Sequence, residues 1–240
     1  MDKQQKQEKI VDMFDEIAST YDLANRVLSF GIDISWRKKG CNKAFEYLGQ
    51  KNIEKIVDVA TGTGDLLMHW KTEAEKNAIT VENFVGIDPS VGMLEVAKKK
   101  VDFAEFLEGK AQELPLEDTS CEIISISYGI RNVVDRVEAL QEFYRTLKPG
   151  GIVVILEFTK QEKSGITSKI VDLYMKKILP AIGGLVSKNY AAYKYLPDSI
   201  EQFLTTKMLV AELQQAGFEH KYSKSFSMGI STLIVAQKPR

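Results

Sequence analysis

The segment Asp58-Val59-Ala60-Thr61-Gly62-Thr63-Gly64 is where this chain is best equipped for chemistry. It follows an apolar, β-branched run, and glycines placed just after a strand let the backbone approach a ligand closely. The G-x-G-x-x-G spacing of a pyrophosphate cradle is missing, so Gly62, Thr63 and Gly64 suit a nucleoside cofactor that carries no phosphates. A tight turn with glycines for geometry alone is the competing account. Asp88 ends the next apolar run, where an acidic side chain accepts hydrogen bonds from both hydroxyls of a ribose. The same residue, opening the turn Asp88-Pro89-Ser90, has a purely structural use. Glu108 to Pro115, with Lys110 and Ala111 at its middle, is expected to loop over the base of the nucleoside. Ser127 closes a further strand beside the cofactor's reactive end, and the following Arg131 and Asn132 are expected to face an acceptor. For Arg131 a surface ion pair is an equally good explanation.

These residues need elements to hold them. Ile10, Met13, Phe14, Ile17 and Tyr21 recur at helical spacing, which predicts an opening helical segment within residues 1–50. Lys55–Ala60, Asn83–Asp88, Ala104–Leu107, Cys121–Ser127 and Ile152–Phe158 read as strands, the last nearly all apolar, as expected of a strand covered on both faces. Leu67, Trp70 and Ala74, then Leu94, Ala97 and Val101, then Val137, Leu140, Tyr144 and Leu147 give the intervening helices their stripes; Lys148-Pro149-Gly150-Gly151 reads as the stop of the last. Strands alternating with helices predict an α/β parallel sheet with right-handed crossovers. Residues 160–200 are expected to form a helical cover for the substrate, with Lys169, Lys176, Lys177 and Lys188 among apolar residues, suited to peripheral contact with a membrane. An ordinary helical cover buried on the sheet explains that pattern equally well. Met208, Leu209, Leu213 and Ala216 mark a helix closed by Gly217, and Phe218–Phe226 with Gly229–Lys238 read as an antiparallel hairpin. The result is one domain over 1–240, a seven-stranded, mostly parallel sheet finished by a hairpin: the layout of the Rossmann-like methyltransferases.

Composition narrows the function. With 240 residues, a net charge of -1 and 27% charged residues, the chain has no basic footprint for nucleic acid. Its 2 cysteines, Cys41 and Cys121, are far apart, which suggests neither a disulfide framework nor zinc and fits a reducing cytoplasm. The 2 histidines, His69 and His220, leave little for a metal cluster or a hydrolytic triad, and no metal is expected. No stretch reaches the ~18 apolar residues that a membrane span needs. Nothing in the pattern selects an oligomeric state.

Several narrower motifs carry a family resemblance. Phe14-Asp15-Glu16-Ile17-Ala18-Ser19-Thr20-Tyr21-Asp22 leads to Asn25, Leu28-Ser29, Gly31 and Trp36-Arg37; later come Gly129-Ile130-Arg131-Asn132-Val133, Leu156-Glu157-Phe158, and Tyr193-Lys194-Tyr195-Leu196-Pro197-Asp198-Ser199-Ile200. With these, and with the more widespread glycine turn and Lys148–Gly151 block, nearly the whole chain resembles the quinone-biosynthesis C-methyltransferases. Members methylate demethylmenaquinol and, in many organisms, a ubiquinol precursor. The resemblance implies S-adenosylmethionine as methyl donor, contacted at Thr63, Asp88, Lys110-Ala111 and Ser127, and a prenylated quinol as acceptor. Departures are Thr61 where a second glycine is frequent, Lys110 for a commoner Asn, and Leu116 and Cys121 where Phe is usual. A methyltransferase for another phenolic molecule, a cofactor-binding regulator and an NAD-dependent oxidoreductase are the rival functions.

Overall fold

A computed structural model describes residues 2–161 and 189–240. Three helices open the chain: α1 (Lys3–Ile17), α2 (Tyr21–Ser29) and α3 (Ile32–Leu48). Then follow β1 (Asn52–Val59), α4 (Asp65–Lys76), β2 (Thr80–Asp88), α5 (Val91–Lys100), β3 (Glu105–Glu108), β4 (Cys121–Ser127), α6 (Arg136–Thr146) and β5 (Leu147–Glu157). After the undescribed stretch come α7 (Tyr190–Gln202), α8 (Thr206–Gln215), β6 (Glu219–Phe226) and β7 (Ser231–Gln237).

The strands form one 7-stranded sheet in the order β3-β2-β1-β4-β5-β7-β6. β3, β2, β1, β4 and β5 run parallel, while β7 is antiparallel to both β5 and β6. The expected α/β sheet with its closing hairpin is therefore present. Its core forms because neighbouring strand residues point to opposite faces. Val57, Ile124 and Val153 pack with Leu140 and Phe143 of α6 and Leu209 and Leu213 of α8. Ile56, Ile123 and Val154 pack on the other face with Phe45 of α3 and Trp70 of α4. Strand order reverses between β1 and β4, so the carboxyl ends of these two strands diverge and leave the crevice where open α/β sheets bind ligands.

Two local expectations need correction. α6 ends at Thr146, and Leu147 already pairs with Cys121 in the sheet, so Lys148–Gly151 lies within β5 beside an irregularity in the ladder. Gly150 adopts φ 83, and Gly150 and Gly151 exchange backbone hydrogen bonds with Lys238, which anchors the chain's end. Val137 is also exposed; α6 buries Ala139, Leu140 and Phe143 instead. The basic part of the expected substrate cover, residues 162–188, lies outside the described residues.

Candidate active site

The glycine turn leaves β1 through residues in the left-handed region: Ala60 at φ 50, Gly62 at φ 55 and Gly64 at φ 75. The Gly62 N–H donates to Asp88 Oδ2 at 2.8 Å, and the Ser90 N–H donates to Asp88 Oδ1 at 2.8 Å. Asp88 thus ties the turn after β1 to the turn after β2. Each carboxylate oxygen retains a further lone pair for a ligand. Burial pushes the Asp88 carboxyl up to about 6, against the pull of those two amides. Gly64 lines none of the three cavities described below. A side chain on it would meet Val101 Cγ2 at 3.1 Å, so its part is to turn the chain into α4.

A cavity opens at the switch point, with Gly62, Asp88, Lys110, Ala111, Ser127 and Asn132 in its wall. Phe14 of α1 and Tyr21 of α2 also line it. Ala111 is buried, whereas the Lys110 side chain is exposed. Thr63 borders a smaller, polar cavity on the other side of Gly62 and Ser127, and its hydroxyl donates to Asp22 at 2.6 Å. Ser127 Oγ is buried with no hydrogen-bond partner among the described residues. Such a group normally has a partner, so an orphan hydroxyl on a cavity wall fits a site whose ligand completes it.

Beside this lies a larger, mainly apolar cavity of about 270 Å³, which shares Phe14, Tyr21 and Tyr128 with the first. Trp36, Phe158 and Leu196 make it apolar; Arg131, Arg37 and Tyr195 bring polar groups to it. Arg131 is the member of the predicted pair that lines this cavity, while Asn132 lines the neighbouring one and accepts a hydrogen bond from the Tyr195 hydroxyl at 3.1 Å. Arg131 is not on the surface. It forms an ion pair with Glu157, whose side chain is 0% exposed, and its Nε donates to Ser199 Oγ at 2.9 Å. Glu157 also accepts the backbone N–H groups of Arg131 at 3.1 Å and Phe158 at 2.7 Å. Burial raises the Glu157 carboxyl while Arg131 lowers it, with a net upward result.

Known proteins resemble the chain on both levels. The model of the ubiE/COQ5 methyltransferase family matches residues 2–238. The chain belongs to this family. It is similar to the Ubiquinone/menaquinone biosynthesis C-methyltransferase UbiE of Campylobacter jejuni, 54% identical over 234 residues that make up 98% of this chain and 99% of the relative. The Demethylmenaquinone methyltransferase of Thermus thermophilus is 39% identical over 231 residues, 95% of this chain and 100% of that one. Among solved structures, a SAM-dependent methyltransferase of Thermotoga maritima, described as a possible histamine N-methyltransferase, superposes with a TM-score of 0.63 at 20% identity, covering 95% and 98% of the two chains. At that identity the likeness shows the fold. The chain is thus a Rossmann-like, S-adenosylmethionine-dependent methyltransferase.

Three groups at the site went unassigned in the sequence. Asp58 is buried at the end of β1, its carboxylate accepting the hydroxyls of Thr61 at 2.8 Å and Ser125 at 2.7 Å, and burial pushes it up to about 7. Tyr128, at φ 58, stacks on Phe158 with ring centroids 4.5 Å apart and separates the two larger cavities. Asp33 and Arg37 pair one helical turn apart on α3. That acid–base spacing was a visible signal, although it occurs on many exposed helices.

Proposed function

We propose that this methyltransferase transfers the methyl group of S-adenosylmethionine to a ring carbon of a prenylated quinol, with demethylmenaquinol as the acceptor. The observation that carries the reading is the pair of cavities with a common wall: a crevice at the strand switch point lined by Asp88, Ala111 and Ser127, and an apolar chamber beside it. The names of the relatives support the acceptor class. Asp88 is suited to the ribose, the Ala111 backbone to the adenine, and Gly62, Thr63 and Ser127 to the middle of the cofactor.

Bound S-adenosylmethionine supplies an electrophilic methyl on a sulfonium. The protein's task is to present a nucleophilic carbon in line and to exclude competing water. A quinol that loses one phenolic proton has negative charge on the adjacent ring carbon; the oxidised quinone has not. Arg131, fixed by Glu157 and Ser199, holds that charge at the oxygen, and its contribution grows as charge develops. Asn132, held by Tyr195, stands across the shared wall and orients a water that takes first the phenolic proton and then, after the methyl has joined the ring, the proton of the methylated carbon, passing each to solvent. Phe158 and Tyr128 provide a flat apolar bed for the ring.

The prenyl tail favours peripheral contact with the inner face of the membrane. Among the described residues no helix is long and apolar enough to cross a bilayer. Leu23, Val27, Phe30 and Ile32 are exposed around the corner between α2 and α3, and Phe30 and Ile32 also line the apolar cavity. An exposed apolar rim at the mouth of such a cavity suits collection of a lipid-borne acceptor. Turnover of a short-chain demethylnaphthoquinol kept reduced, and none of the same molecule kept oxidised, is the expected result; equal turnover of both would contradict the mechanism.

A further inference from the structure

In the reading above, the cofactor's nucleoside end lies in the cavity that Asp88 and Ala111 line together with Gly62 and Ser127. Gly62 and Ser127 also border the small polar cavity on the other side, so a ligand extended past them enters a second set of side chains. Its charged side chains are Asp22, Arg26, Arg37, Asp58 and Asp65, and Asp22 pairs with Lys100 at 2.7 Å. Arg26 is already satisfied, pairing with Asp33 and, at 2.6 Å, with Asp65. Arg37 is different. Its side chain is 7% exposed and one terminal nitrogen pairs with Asp33, yet its Nε is buried without a hydrogen-bond partner among the described residues. The Asp65 oxygen that faces this Nε stands at 3.6 Å, beyond hydrogen-bond range. Asp58 is the complement: it accepts two hydroxyls but forms no ion pair among the described residues. A buried cation short of an acceptor and a buried carboxylate without a cation, facing one small cavity, match the two charges of an α-amino acid.

We infer that Arg37 is the receptor for the carboxylate at the amino-acid end of S-adenosylmethionine, an assignment that rests on the cofactor reading above. Asp33 fixes the guanidinium at one terminal nitrogen and is itself held by Ser29 Oγ at 2.6 Å and by Arg26. The planar fork is therefore oriented before the ligand arrives, which suits it to a carboxylate better than a flexible ammonium would be. The same residue lies in the wall of the acceptor chamber, so α3 connects donor and acceptor pockets through one side chain.

Calorimetric titration of the parent chain and Arg37→Gln with three ligands tests this: S-adenosylmethionine, decarboxylated S-adenosylmethionine, and methylthioadenosine, which lacks the whole amino-acid end. The variant should bind S-adenosylmethionine about 10-fold or more weakly, the scale of a lost charge-assisted hydrogen bond. Its affinities for the decarboxylated ligand and methylthioadenosine should stay within about 2-fold of the parent's, since neither offers Arg37 a carboxylate. Equal weakening of all three ligands, or no weakening of S-adenosylmethionine, overturns the assignment. Failure of the parent to bind any of them would instead remove the cofactor reading beneath it. Should Arg37→Gln not fold, Arg37→Lys keeps a charge opposite Asp33 while losing the fork. It should show the same ligand-selective weakening, several-fold in size, and an unselective loss there likewise overturns the proposal.

Discussion

Arg131→Ala separates a structural from a chemical role only if stability is followed alongside turnover. The substitution leaves Glu157, which is 0% exposed, without its cation. Removing one partner of a buried pair costs ~3–5 kcal/mol because the remaining charge stays desolvated. Here Glu157 keeps its two backbone donors, Arg131 N–H and Phe158 N–H, so the lower end of that range, about 3 kcal/mol, is expected. For a chain of this size it should lower the melting temperature by roughly 6–12 °C. The deficit should depend on pH. Burial already raises the Glu157 carboxyl, and the Arg131 cation opposes the rise most strongly, with the backbone N–H groups of Arg131 and Phe158 adding to that opposition. Without Arg131 the folded protein takes up a proton at Glu157 more readily than the unfolded chain does, so stability is retained at low pH and lost as pH rises through the folded-state value. Thermal unfolding should therefore show a larger deficit at pH 8 than at pH 5. Adding Glu157→Gln removes the stranded charge and should restore most of the stability. Methyl transfer should remain lost in the double variant, with cofactor affinity close to the parent's. A single variant within ~1 kcal/mol of the parent and turning over normally, as expected for an exposed pair, would refute the reasoning. So would a double variant whose activity returns together with its stability.

Asp88→Asn keeps an acceptor for the Gly62 or Ser90 amide but loses the charge, and calorimetry should show S-adenosylmethionine binding weakened by ~1–3 kcal/mol. Because the Asp88 carboxyl is pushed up to about 6 and accepts ribose hydroxyls as the carboxylate, affinity should fall as pH drops through that value; a flat affinity between pH 5 and 8 contradicts this. Gly129→Ala places a methyl 2.5 Å from Ala60 Cβ, at the wall of the cofactor cavity, and should cost ~1–3 kcal/mol in denaturant unfolding. Phe30→Ser, a change at a residue 78% exposed, should reduce sedimentation with anionic vesicles while leaving cofactor titration unaltered; unchanged sedimentation would remove the α2–α3 corner from the membrane contact.

The sheet was legible because strand residues such as Ile123 and Ile124 are buried on opposite faces, leaving nearly unbroken apolar runs between helical stripes. That Asp88, Ala111 and Ser127 meet at one cavity was legible because a parallel sheet brings the ends of successive strands to one edge. The partner of Arg131 was not. Glu157 follows it by 26 residues and meets it only because β5 lies beside β4, an adjacency that no local pattern encodes. Nor does spacing along the chain tell which of two consecutive residues, Arg131 and Asn132, turns toward which cavity; the short helical turn at Ile130–Asn132 decides that. The Lys148–Gly151 block misled because glycine after a helix commonly means a cap, whereas here tertiary pairing with Lys238 draws it into β5.

The central claim, methyl transfer to carbon on a quinol ring, is tested most directly by product analysis. Incubation with methyl-labelled S-adenosylmethionine and paired short-chain demethylnaphthoquinol and benzoquinol acceptors, followed by mass spectrometry and NMR, locates the label. The account predicts a new methyl on the open ring carbon of the naphthoquinol. Label on a phenolic oxygen, or tight cofactor binding with neither acceptor methylated, would contradict it.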